Sequence, residues 1–147
     1  MQERFETFTV LIAKINRNIR KIKTAAMSEF NLKSTHVSCI FYLYKAGSMT
    51  ATELSEVCEE DKGAVSRSIE YLEKNGYIVC DSDAPKRYKS PLRLTAKGTD
   101  IGERLVSKID TVLSQVGKSL SSEMRLMMYQ GLNTVCDDLQ KISETYE

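Results

Sequence analysis

Two prolines and seven glycines in 147 residues are too few for a collagen-like chain or a Pro/Gly-rich disordered one. No apolar run approaches the ~20 residues that a transmembrane helix needs. The opening MQERFETFTV carries charges of both signs and no apolar core, so it is not expected to act as a secretory leader. The expected setting is the cytoplasm, with no membrane partner. Cys39, Cys58, Cys80 and Cys136 include no pair at the C-x2–4-C spacing of a zinc site, and a cytosolic context disfavours disulfides. They are read as small buried hydrophobes. The alternative is a redox-sensing thiol, which would need an exposed, electropositive setting. His36 is the one histidine. There is no Gly-rich phosphate loop, no nucleophile elbow and no histidine clustered with carboxylates, so no enzyme, metal or cofactor is expected.

What is present fits one soluble domain. Apolar residues make up 41% and charged residues 28%, an ordinary globular balance, and 147 residues are enough for a core without staples. Lys+Arg number 21 against 20 Asp+Glu, but the charges lie in blocks. Lys14, Arg17, Arg20, Lys21 and Lys23 form one basic stretch, and Lys86, Arg87, Lys89, Arg93 and Lys97 form another. Glu53, Glu56, Glu59, Glu60 and Asp61 form an acidic one. Such sign asymmetry points to a polyanion partner, against the plainer alternative of solvated faces.

Periodicity organises the chain into helices. Phe5, Phe8, Leu11, Ile12, Ile15, Ile19 and Ile22 recur at steps of three and four, which predicts a long amphipathic helix broken at Asn31-Leu32. Ser34 or Thr35 is expected to cap a second helix that ends at Gly47. Thr50-Ala-Thr-Glu53 is a capping-box pattern opening a short third helix. Asp61 is expected to cap a fourth, with Val65, Ile69 and Leu72 inward and Asn75-Gly76 as the stop. Two short helices joined by a tight turn form a helix-turn-helix pattern. Tyr77–Cys80 and Leu92–Leu94 read as paired strands around a basic loop. Thr95 then caps a helix with Ile101, Leu105, Ile109, Val112 and Val116 inward. Ser121 or Ser122 caps the last, with Met124, Met127, Met128, Leu132, Val135, Leu139 and Ile142 inward.

With these elements in order, the chain resembles the MarR family of winged-helix transcriptional regulators over nearly its whole length. Thr52-Glu53-Leu54 resembles the family's first helix-turn-helix helix. Val65-Ser66-Arg67, then Leu72-Glu73-Lys74-Asn75-Gly76-Tyr77-Ile78, resembles the recognition helix and the entry to the wing. Leu94-Thr95-Ala96-Lys97-Gly98 resembles the Leu-Thr-x-x-Gly exit. The wing departs from the family's Asp-x-Arg, because Asp83 and Arg87 have three residues between them. Peroxide-sensing relatives carry their cysteine on the first helix, where this chain has none. A lone His36 cannot build the multi-histidine sites of zinc-responsive relatives.

The fold expected is mainly α: a winged helix-turn-helix with a small β-hairpin wing and an α-helical dimerisation region drawn from both termini. Residues 1–147 would form a single domain, with 35–97 as the DNA-binding lobe and 1–30 and 100–147 as dimerisation helices. The terminal helices carry more apolar surface than such a lobe can cover, which points to a homodimer. The resemblance implies a repressor that binds a pseudo-palindromic site on double-stranded DNA and is released by a small aromatic or acidic effector. Thr50, Lys62, Gly63, Ser66 and Arg67 are the candidates for the helix-turn-helix contact, and Lys86, Arg87 and Lys89 for the wing contact. Small residues let a helix sit deep in a groove, Arg can donate two bonds to guanine, and lysines neutralise phosphates. His36 is the candidate effector contact. A winged helix that binds another protein through the same surface is the rival class.

Overall fold

A computed structural model describes residues 2–58, 60–81 and 89–147. Its elements follow the order α1 (Gln2–Ala26), a 3-10 turn (Ser28–Phe30), α2 (Ser34–Ala46), β1 (Ser48–Met49), α3 (Ala51–Val57), α4 (Lys62–Lys74), β2 (Ile78–Cys80), β3 (Leu92–Leu94), α5 (Ala96–Gln115) and α6 (Ser122–Glu144). They divide into two units, Met1–Lys108 and Ile109–Glu147. The first unit has the winged helix-turn-helix architecture.

Local chemistry sets most boundaries in the first unit. At α3 the Thr50 hydroxyl accepts from the Glu53 N–H at 3.1 Å, and the Glu53 carboxylate accepts from the Thr50 N–H at 2.8 Å, closing the expected box. Asp61 caps α4 by accepting from the Ala64 N–H at 2.8 Å. The start of α2 differs from expectation. Its N-cap is Lys33, not Ser34 or Thr35, because the imidazole of His36 supplies the acceptor: Nδ1 takes the Lys33 N–H at 3.0 Å. Asn31, at φ 56°, makes the left-handed turn before it.

The sheet is antiparallel with order β1-β3-β2, and Arg93 stands between Ser48 and Val79. The strand β1 was not expected. It is two residues long and, among the described residues, pairs only with β3, so it has no period to detect. Under the sheet lies one core. Val37, Ile40 and Leu43 of α2 pack with Leu54 of α3, Val65 and Leu72 of α4, Ile78, Leu92, Ile101 and Leu105, all nearly or wholly buried. Apolar burial of this kind is the main stabilising term. Because α4 buries Val65, Ser68, Ile69 and Leu72, its opposite face is held rigidly toward solvent.

Thr95 joins the sheet to α5. Its N–H donates to the Tyr77 carbonyl at 3.0 Å. Its hydroxyl donates to the Gly76 carbonyl at 2.6 Å and accepts the Gly98 N–H at 3.1 Å.

Apolar side chains on the stripes of α1 and of α6 are exposed. On α1, Leu11, Ile15, Ile19 and Ile22 are exposed, and on α6, Met124, Met127, Leu139 and Ile142 are exposed. The expectation that the α6 stripe faces inward is therefore corrected. The period reveals an apolar face, and these side chains of that face are exposed. No helix among the described residues is long and apolar enough to cross a membrane.

Candidate nucleic-acid interface

The solvent face of α4 gathers four of the sequence candidates. Lys62, Gly63, Ser66 and Arg67 are all exposed and occupy its first turn and a half. Gly63 has a steric reason. A Cβ built on it would lie 3.2 Å from an Arg67 guanidinium nitrogen and 3.1 Å from an Asp61 carboxylate oxygen. The missing side chain thus lets the Arg67 guanidinium run back along the helix toward its amino end, where the peptide dipoles also favour negative charge.

Lys62 and Ser66 further line a concavity of about 370 Å³ between α3 and α4, shared with Thr52, Ser55, Glu70 and Glu73. Its charge is graded. Its one cation among the described residues, Lys62, lies at the amino end of α4, and the carboxylates Glu70 and Glu73 lie toward the carboxyl end.

The other candidates fall elsewhere. Thr50 is placed in the α3 cap described above. Lys89 is exposed at the foot of the hairpin, immediately before the buried Ser90. Lys86 and Arg87 lie outside the described residues, as does Asp83. Asp81 and Arg93 pair at the base of the hairpin. The Asp81 N–H also donates to the Pro91 carbonyl at 3.1 Å, closing the two arms. The sequence directed attention to Asp83 and Arg87 and away from this pair, whose members are separated by twelve positions.

Three members of the acidic run, Glu53, Glu60 and Asp61, are engaged within the fold. Glu53 and Asp61 are caps. Glu60 receives the Arg20 guanidinium, with Nη1 at 2.7 and 2.8 Å from its two carboxylate oxygens. An ion pair forty positions apart leaves no periodic trace, and sequence reasoning missed it. It ties α1 to the residue before the α4 cap.

His36 is engaged in structure. Its ring stacks on Tyr71 of α4 at 4.3 Å between centroids, with 12° between planes. The Tyr71 hydroxyl donates to the Asn31 carbonyl at 2.9 Å. Burial, and then the charge of Lys33, push the His36 pKa below its ordinary 6.5. The neutral ring is the form that can accept the Lys33 N–H, so protonation must break that bond. The sign follows: this contribution is fully present above about pH 6.5 and is lost as pH falls toward the depressed folded value. Urea unfolding at pH 7.5 and 5.5 should show the wild-type chain losing stability on acidification. His36→Phe, which retains a ring but cannot titrate, should lose less. Equal losses would assign the effect to other groups.

Cys39 and Cys58 are buried, Cys80 is half-buried and Cys136 is exposed. The Cys39 thiol shares a hydrogen bond with Cys58 and is desolvated, and both effects push its pKa up. That holds it in the thiol form, which is not the nucleophile.

Comparison with known proteins follows the same outline. Residues 35–113 match the family model of the winged helix DNA-binding domain. No curated protein matches the chain by sequence. Among solved structures, NMB1585, a MarR family regulator from Neisseria meningitidis, superposes with a TM-score of 0.82 at 17% identity, covering 98% of this chain and 99% of that one. MepR from S. aureus, in a DNA complex, gives 0.78 at 19% identity, covering 90% and 97%. The organohalide-sensing RdhR regulator in its 2,4-dichlorophenol-bound form gives 0.76 at 19% identity, covering 90% and 79%.

Proposed function

The chain belongs to the winged-helix DNA-binding domain family and has the fold of the MarR family regulators, and on that premise we propose that it is a dimeric transcriptional regulator. It acts by binding DNA in the cytoplasm, not by catalysis. The observation that carries this reading is the amino end of α4, where Lys62, Gly63, Ser66 and Arg67 share one exposed face on a buried, rigid base. An α-helix fits the major groove with its first residues at the base edges. Arg67 would read bases, with Ser66 and Lys62 on bases or phosphates. The hairpin residues Lys86, Arg87 and Lys89 would hold phosphates and the minor groove. Thr50, at the amino end of α3, would reach the backbone.

In this proposal, residues 35–97 form the DNA-binding lobe, and residues 1–30 and 100–147 supply the dimer contacts. A two-fold dimer sets two recognition helices roughly one DNA turn apart, ~34–36 Å, which calls for a pseudo-palindromic operator. Repression follows from occupying that operator. A small aromatic or acidic effector, near His36, would release it by favouring a different lobe arrangement.

The exposed apolar residues of α1 and α6 support dimerisation, since unshared apolar surface on this scale marks an interaction face. Light scattering should give about twice the chain mass of 16.6 kDa. Ile15→Lys with Met127→Lys should shift the mass toward one chain by leaving charges unpaired in the interface. A dimer unmoved by both changes would place the contact elsewhere.

Selection of bound duplexes from a random pool tests the function itself. The expected result is an enriched pseudo-palindrome with half-sites about one helical turn apart. Failure to enrich any sequence would count against the operator reading.

A further inference from the structure

A second concavity in the first unit differs from the one beside α4. It lies between the carboxyl-terminal half of α1 and the amino end of α2, with a volume of about 780 Å³. Arg17, Arg20 and Lys21 line it from α1, and Lys33, Ser34 and Thr35 from the start of α2. The rest of its wall is threonine, alanine and serine. Among the described residues, no carboxylate and no aromatic ring lines it.

Three features of that wall favour an anion. Four cations converge on it. The wall also includes the amino end of a 13-residue helix, where first-turn N–H groups lack intrahelical acceptors and the dipole is positive. Ser34 adds an independent sign: it is 5% exposed, and its hydroxyl oxygen has no hydrogen-bond partner among the described residues. Buried polar groups are almost always paired, so an orphaned hydroxyl in a cationic wall marks a place for an acceptor. His36 is not among the lining residues.

Arg20 belongs to two sites at once. It lines the cavity, and it is the cation of Glu60, whose side chain is only 10% exposed. Glu60 directly precedes Asp61, the α4 cap. A carboxylate that deep depends on its partner, and removing the partner destabilises the buried charge.

We propose that this cavity binds a small, multiply charged oxyanion, and that the bound anion draws Arg20 from Glu60 and so loosens the turn leading into α4. A polycarboxylate and a phosphate ester share the required chemistry. An aromatic monoacid does not, because no ring lines the wall to stack on it. The consequence for DNA rests on the regulator reading above, but the binding does not. Once Arg20 leaves, Glu60 moves toward water or takes up a proton. Either event disturbs the Asp61 cap and, with it, the amino end of α4.

The full chain would be titrated calorimetrically with citrate, inorganic phosphate and benzoate at constant ionic strength. Citrate or phosphate should bind one per chain, and benzoate at least about tenfold more weakly. Ser34→Ala and Arg17→Ala should each weaken binding by roughly tenfold, the loss of one charge-assisted hydrogen bond. Glu60→Gln should tighten it by releasing Arg20, and Lys45→Ala, outside the wall, should leave it unchanged. Arg17 is exposed, so its variant carries the test if Ser34→Ala fails to fold. Bound anion should also speed amide exchange at Ala64 and Val65 in the wild-type chain, but not in Glu60→Gln. No binding of citrate or phosphate, or equal binding by every variant, would overturn the site. Benzoate binding as tightly would overturn the ligand class, and binding without altered exchange would overturn the coupling. None of these readouts involves DNA, so their failure is distinct from failure of the regulator reading.

Discussion

Arg67→Ala is expected to change which DNA sequence the protein selects, not merely how tightly it binds. The guanidinium lies on the exposed face of α4, drawn toward the amino end over the bare Gly63. There it can donate two bonds to the edge of a guanine. Losing such a pair should cost ~1–3 kcal/mol per half-site and relax preference at one position in each half. A two-fold dimer repeats the loss, so the whole operator should be weakened by about 2–6 kcal/mol if the halves are additive. Lys89→Ala is the contrast. Lys89 is exposed at the foot of the hairpin, a position suited to phosphate. Its loss should weaken all sequences alike and flatten the salt dependence by about one unit of slope. Arg87→Ala should fall between, reducing preference for A·T flanks where the minor groove is narrow. Selection repeated with each variant checks the division. An unchanged consensus for Arg67→Ala beside a changed one for Lys89→Ala would reverse it.

Gly98→Ala should damage folding more than any other single added methyl in the first unit. A Cβ there would stand 2.0 Å from the Tyr77 carbonyl oxygen and 3.1 Å from Leu94 Cδ2. The carbonyl cannot step aside cheaply, because it already accepts the Thr95 N–H at 3.0 Å and so holds β2 to the start of α5. Overpacking of this kind costs about 3 kcal/mol, which for a chain this size lowers the melting temperature by roughly 10 °C. Gly102→Ala meets the Tyr44 ring at 2.5 Å, but a side chain can yield, so its loss should be smaller. Thermal melts of the two variants give the order directly. A Gly98→Ala protein as stable as the parent would mean that the junction is not held as described.

The elements legible in the sequence are those fixed by neighbours a few positions apart. Thr50 and Glu53 close their box across three residues, and Asp61 reaches Ala64 across three. The inward set Val65, Ile69 and Leu72 follows the helical period, and burying it turns Lys62, Ser66 and Arg67 outward. Hidden features depend on distant partners or on competition between donors. Ser48 and Met49 become a strand only because β3 arrives beside them. Glu60 looks like one acid in a run until Arg20 reaches it across forty positions. Ser34 is a better cap than Lys33 by residue type, yet the ring of His36 takes the Lys33 N–H and moves the helix start by one. The stripes on α1 and α6 were visible as periodic, but period alone does not say whether the same chain or a second copy covers them.

On the proposed function, one face of α4, with the hairpin behind it, reads duplex DNA by sequence. Affinity for the selected operator and for a scrambled duplex of equal length, measured across a range of salt, tests this most directly. A reader that combines base contacts with phosphate contacts should lose affinity for both duplexes steeply as salt rises, because released counterions drive that part of the binding. It should also keep a preference for the operator of at least about a thousandfold. Equal affinity for the two duplexes, or binding that does not respond to salt, would contradict the claim and favour a surface that recognises protein.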